Sequence, residues 1–120
     1  MTQNIAIVGA GISGLSAARK HIEKHNVIIF DKSRGVGGRM STRYSESFEF
    51  DHGAQYFTAK DERFKVLLSS ETFEAVIKPW DSRAFYKKEN KLIPDTGGFR
   101  YVSQPRMNSF TKKLSKGLNI

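Results

Sequence analysis

Three glycines, an acid and a second glycine pair are the residues of this 120-residue chain whose types and spacing could do chemistry. Gly9-Ala10-Gly11-Ile12-Ser13-Gly14 is a G-x-G-x-x-G string set between a short apolar run and an amphipathic stretch. In that setting the glycines have separate tasks. Gly9 permits a tight turn, Gly11 lets backbone approach a diphosphate, and Gly14 allows a helix to pack closely on a strand. The amides that open the helix, with its positive dipole end, then face the phosphates. Ala10, Ile12 and Ser13 complete this loop and are candidate cofactor contacts with the glycines. Asp31 lies 17 residues beyond Gly14, at the end of the next apolar run. A carboxylate there accepts hydrogen bonds from both hydroxyls of an adenosine ribose and repels a 2′-phosphate. The neighbouring cations Lys32 and Arg34 leave a 2′-phosphate reading open. The set describes a grip on the ADP half of a dinucleotide.

Gly37-Gly38-Arg39 follows Asp31 after five residues. Paired glycines let a loop lie flat against a cofactor, and Arg39 offers a forked donor to phosphate or flavin oxygens. A simple nicotinamide dehydrogenase has no use for this second loop, so the expected dinucleotide narrows to FAD. Further along, Gly53 and Ala54 admit close backbone approach, while Gln55 and Tyr56 supply donors. Tyr56 and Phe57 suit core packing equally well. His21 and His25 have the i, i+4 spacing of metal ligands but no third ligand nearby, so no metal site is expected. His52 reads as a structural hydrogen-bond partner, and no residue is singled out as catalytic.

These residues need elements to hold them. Residues 4–8 and 27–30 are continuous apolar runs, read as two parallel strands. Between them residues 12–25 read as a helix, with Ile12, Leu15, Ala18 and Ile22 on one face. Strand, helix, strand in that order is a βαβ unit. Residues 33–45, rich in Gly, Ser and Arg, predict an extended loop, and 48–51 a short strand. A short helix is expected over 62–69, with Asp61 or Lys60 near its start. Small antiparallel strands are expected over 75–80, 84–86 and 91–93, the last two joined in a hairpin across Glu89-Asn90. Residues 105–116 predict a helix with Met107, Phe110 and Leu114 inward and Gly117 as its stop. Leu118-Asn119-Ile120 begins another apparent strand. The fold class is therefore α/β: a Rossmann-like FAD/NAD(P)-binding βαβ unit followed by small antiparallel strands and helices. Residues 1–60 are expected to form the dinucleotide unit, and 61–120 the start of a substrate domain.

Composition excludes several classes. There are no cysteines, so thiolate metal sites, disulfides and cysteine nucleophiles are ruled out. Twenty Lys and Arg against 12 acids give a net charge of +8, yet the cations are scattered and form no basic arm or recognition helix. An anionic cofactor or plain solvation accounts for them better than nucleic acid does. No apolar run approaches the roughly 20 residues of a membrane span, and the expected location is cytoplasmic.

The strings FDKSRGVGGRMSTRY and FDHGAQYFTAKDERF, with Arg100-Tyr101-Val102 and Pro105-Arg106-Met107-Asn108, resemble the renalase-like branch of the flavin-containing amine oxidase superfamily. The resemblance implies FAD, bound covalently or not, in a two-domain fold. It also implies oxidation of an amine or a reduced nicotinamide-type substrate with oxygen as acceptor. Under it, Gly9, Gly11 and Gly14 form the pyrophosphate loop and Asp31 is the ribose acid. Gly38 and Arg39 belong to the second glycine motif, and residues 53–57 run beside the flavin ring. Members of that branch are far longer, so the chain is expected to be an N-terminal part, inactive alone, whose partners are a small-molecule substrate and the missing C-terminal part. The competing reading is a non-catalytic dinucleotide-binding module.

Overall fold

The computed structural model describes residues 1–120. The two apolar runs form β1 (Asn4–Val8) and β2 (Asn26–Phe30), paired in parallel with Val8 level with Phe30. Helix α1 (Ile12–His21) crosses between them and buries Leu15 and Ala18 against the sheet. Its last expected turn, 22–25, is a hydrogen-bonded turn rather than helix. Only one sheet face is covered. Val27 and Ile29 are buried, whereas Ile28, Phe30 and Val8 on the other face are 43%, 56% and 89% exposed. Continuous apolar sequence of this kind belongs to strands packed on both faces.

After β2 the chain is less regular. A single 3-10 turn (Gly38–Met40) and β3 (Arg43–Tyr44) occupy the span expected as a loop, and β3 pairs with β4 (Glu49–Phe50). β5 (Phe57–Thr58), β6 (Ile77–Pro79) and β9 (Arg100–Ser103) form a three-stranded antiparallel sheet with β9 in the centre. Neither β5 nor β9 was marked by alternation in the sequence. β7 (Phe85–Lys88) and β8 (Lys91–Pro94) make the expected hairpin, with Glu89 and Asn90 both at positive φ, 45° and 63°. Two positive-φ residues between paired strands are the mark of a type I′ turn. Helix α2 (Glu62–Leu68) starts on an Asp61 cap, whose side chain accepts from Arg63 N–H at 2.8 Å. A further short helix, α3 (Glu71–Glu74), places Phe73 in the core.

Helix α4 (Asn108–Ser115) joins the halves. Phe110 is fully buried; it stacks on Phe57 with ring centroids 6.1 Å apart and meets Phe73 edge-to-face at 4.9 Å. Arg19 on α1 donates through Nε to the Leu114 carbonyl at 2.8 Å and through Nη2 to the Lys116 carbonyl. A cation at the last carbonyls of a helix satisfies acceptors that have no partner within it. One core therefore runs from Ala10 and Leu15 through Met40 to Phe110 and Leu114. Beyond α4, the Asn119 carbonyl accepts from Ile29 N–H at 2.9 Å, so the expected third strand reaches the free edge of β2 with one bond. No helix is long and apolar enough to cross a membrane.

Candidate functional site

The crevice at the carboxyl ends of β1 and β2 gathers the glycine loop, the acid and the second glycine loop. Gly9 has φ 101°, a conformation that side chains resist, and its N–H donates to the Phe30 carbonyl at 2.7 Å. A Cβ on Gly14 would collide with the Gly9 carbonyl oxygen and come within 3.3 Å of Ile7 Cγ2. Gly14 is thus the point where helix meets strand. Gly11 differs. A Cβ there would find nothing nearer than Gly38 Cα at 3.8 Å, so the space above Gly11 is open. Helix α1 has no side-chain cap and no acid in its first turn. Its opening amides and the positive end of its dipole are left to whatever enters that space.

Asp31 sits at the tip of β2 against this loop. Its Oδ2 accepts from Ala10 N–H at 2.6 Å and its Oδ1 from Ser33 N–H at 2.7 Å. The Ala10 bond, then the Ser33 bond, hold its carboxyl below the usual carboxylate range, with nearby Lys32 adding to the effect. A carboxylate offers about four acceptor positions, so two remain for hydroxyl donors. Lys32 and Arg34 are exposed and make no ion pair.

The second glycine loop lies directly on the first. Gly37 N–H donates to the Ala10 carbonyl at 3.0 Å, and a Cβ on Gly38 would stand 3.2 Å from Gly11 Cα. Gly37 has φ 139° and Gly38 φ 55°. The paired glycines therefore serve loop-to-loop contact as well as any ligand. Between the loops is a cleft of about 310 Å³ lined by Gly11, Ile12, Ser13, Gly38, Arg39 and their neighbours. Arg39 is among the lining residues, and its side chain makes no hydrogen bond or ion pair to the chain.

Residues 53–56 are placed differently from the glycine loops. A Cβ on Gly53 would collide with the Arg39 carbonyl oxygen, which accepts from Ala54 N–H at 2.7 Å. The close approach of this segment is to the second glycine loop itself. Gln55 is exposed. Tyr56 stacks on Trp80 at 5.1 Å with the Arg100 guanidinium 5.1 Å from its ring, while Phe57 turns into the core. His52 Nε2 lies 3.3 Å from Ser41 Oγ, and His25 Nδ1 accepts from Gln3 N–H at 3.3 Å. Asp51 is a positioning residue without local sequence signal: it accepts from Thr42 Oγ1 at 2.6 Å and from Met107 N–H at 3.1 Å, tying the loop to the start of α4.

The residues present suit an adenine dinucleotide: open space over Gly11, uncapped helix amides, a ribose-level acid with unused acceptors and a free arginine around one cleft. That geometry defines a βαβ dinucleotide-binding unit of Rossmann type. The sequence matches the NAD(P)-binding Rossmann-like domain family over residues 7–70, and the chain belongs to that family. It is 52% identical over 50 residues to a 4,4'-diapophytoene desaturase (4,4'-diaponeurosporene-forming) of Staphylococcus haemolyticus (strain JCSC1435), covering 41% of this chain and 10% of the relative. The enzyme of the same name from Staphylococcus aureus (strain Newman) is 46% identical over 50 residues, with the same coverage. The match spans 10% of the length of these curated relatives. Family and relatives together relate the chain to dinucleotide-binding oxidoreductases and indicate FAD as the cofactor.

Proposed function

We propose that this chain is the cofactor-binding part of an FAD-dependent oxidoreductase of amine-oxidase type, in the renalase-like branch. The observation that carries the reading is the second glycine loop folded onto the first, with Gly37 bonded to Ala10 and Arg39 free beside the cleft. An ADP grip alone needs the first loop and Asp31 and nothing more. Under this reading the α1 amides and Arg39 hold the diphosphate, and Asp31 takes the ribose hydroxyls. Residues 53–56 continue towards the ring, with Gln55 and Tyr56 as donors. FAD, when bound, supplies the two-electron acceptor for oxidation of an amine or a dihydronicotinamide, with oxygen reoxidising it. Residues 1–60 make the grip, and 61–120 begin the substrate side of a larger cytoplasmic protein. The open sheet face at Val8, Ile28 and Phe30 supports a larger parent, because buried parallel strands need cover on both sides.

Titration of the chain with FAD, ADP and NAD tests the reading. FAD is expected to bind at least ten-fold more tightly than ADP, a difference of about 1.4 kcal/mol from contacts beyond the diphosphate. Equal affinity for FAD and ADP would reduce the chain to a dinucleotide-binding module. Preference for NAD over FAD would overturn the flavin assignment.

A further inference from the structure

Behind the second glycine loop lies a second cleft that shares no lining residue with the dinucleotide crevice. It measures about 980 Å³ and is enclosed by the 33–36 and 41–44 stretches of the loop on one side and α4 on the other. Three cations line it, Arg34, Arg43 and Lys112, and no carboxylate does. None of the three is in an ion pair. The nearby acids are already engaged: Glu49 by Arg106 at 2.5 and 2.6 Å, and Asp51 by Thr42 and Met107 N–H.

Polar groups in the cleft are held in place. Asn108 is buried and donates through Nδ2 to the Tyr44 hydroxyl at 3.0 Å. Lys112 Nζ donates to the same oxygen at 2.8 Å. The Arg106 guanidinium packs over the Tyr44 ring, 5.5 Å from its centroid, and keeps the phenol in position. Ser41 and His52 also line the cleft, with Ser41 Oγ 3.3 Å from His52 Nε2.

We propose that this cleft is an anion site that takes a phosphate group, inorganic or carried by a small metabolite, independently of the dinucleotide crevice. Arg34 and Arg43 offer forked donors that match phosphate oxygens, and Lys112 supplies a point charge. Concentrated positive charge in a concave site with no acid raises the local concentration of anions. A ligand here bears on the loop that also carries Gly37, Gly38 and Arg39 on its other side, so the two clefts share one wall. The inference does not depend on which dinucleotide fills the first crevice.

The test uses the 120-residue chain and inorganic phosphate at constant ionic strength, with chloride as the reference anion. Binding is read by calorimetry and by the ultraviolet titration of the Tyr44 phenol. Lys112 donation, with further help from Asn108, holds that phenol below its ordinary value. Phosphate that draws Lys112 away is expected to move the titration upward, and Tyr44→Phe to abolish the signal. Lys112→Gln and Arg43→Gln are each expected to weaken binding about ten-fold, the scale of one charge-assisted hydrogen bond. Arg34→Gln, a change at an exposed loop side chain, gives a third reading in a variant whose packing is untouched. Gly11→Ala and saturating ADP are expected to leave phosphate affinity unchanged. No saturable phosphate binding would overturn the site. So would binding displaced by ADP, which would put the anion in the dinucleotide crevice instead. If a phosphorylated metabolite competes while free phosphate binds weakly, the site belongs to the metabolite; the converse assigns it to the free ion.

Discussion

Asp31 Oδ2 and the Ala10 amide lie 2.6 Å apart, so the acid at the tip of β2 fastens the glycine loop that follows β1. One side chain thus sets the shape of the crevice and keeps its remaining acceptor positions free. Asp31→Asn keeps the volume but removes the charge and exchanges one acceptor oxygen for an amide donor. We expect a loss of about 1.5–3 kcal/mol, the worth of a hydrogen bond to a charged group. Urea denaturation measures the stability part, and an ADP titration at least a ten-fold fall in affinity. A variant as stable and as tightly binding as the parent would remove Asp31 from the site.

The same bond predicts a pH dependence. Asp31 is held below its unfolded value, chiefly by the Ala10 N–H and then by Ser33. Its stabilisation is therefore full above the unfolded carboxylate value of about 4 and is lost as pH falls through the lower folded value. The stability difference between wild type and Asp31→Asn should hold constant from about pH 7 to 5 and shrink towards about pH 2. Asp61, lowered to about 2 by Arg63, titrates in both proteins and cancels in the difference. A difference that stays flat through the acid range would show that the carboxylate charge does not hold the loop.

Gly11 and Gly14 look alike in sequence and should fail in different ways. At Gly14 a methyl group meets the Gly9 carbonyl oxygen, which cannot move without breaking the turn. Gly14→Ala is expected to cost about 1–3 kcal/mol of stability from overpacking. At Gly11 the methyl enters open space, and φ is −80°. Gly11→Ala should keep the thermal midpoint within a few degrees of wild type, yet weaken ADP binding at least ten-fold by obstructing the diphosphate. Thermal melts beside ADP titrations separate the two. Equal loss of stability in both variants would mean that the Gly11 space is not a ligand path.

Much of this arrangement was legible because its signals are local. The βαβ unit is written in two apolar runs and a glycine string, and the hairpin turn in Asn90, a residue that tolerates positive φ, flanked by two short strand patterns. The inward set at α4, Met107 at its cap with Phe110 and Leu114 within it, follows from helical spacing alone. What sequence hid depends on distant partners. β9 is a strand because β5 and β6 flank it, and Asp51 matters because it reaches Met107 N–H, 56 residues away. The Gly53-Ala54 pair suggested approach to a cofactor, and the backbone it meets is Arg39 of the same chain. Spacing in sequence signals a close backbone approach but does not name the backbone that makes it.

The half-covered sheet gives the last prediction. Ile28 and Ile29 are adjacent, equal in size and equally apolar, and they point to opposite faces of β2. Ile29 is 1% exposed under α1, while Ile28 is 43% exposed on the bare face. Ile29→Ala should therefore cost about 2–5 kcal/mol, from lost transfer energy and a cavity. Ile28→Ala should cost clearly less, about 1 kcal/mol in this chain, because nearly half of its surface is already in water. In a longer parent that covers the bare face, the second value should rise towards the first. Chemical denaturation of both variants in the 120-residue chain measures the contrast. Similar large losses at both positions would mean that something covers the second face even here, such as another copy of the chain, and a concentration series would then reveal it.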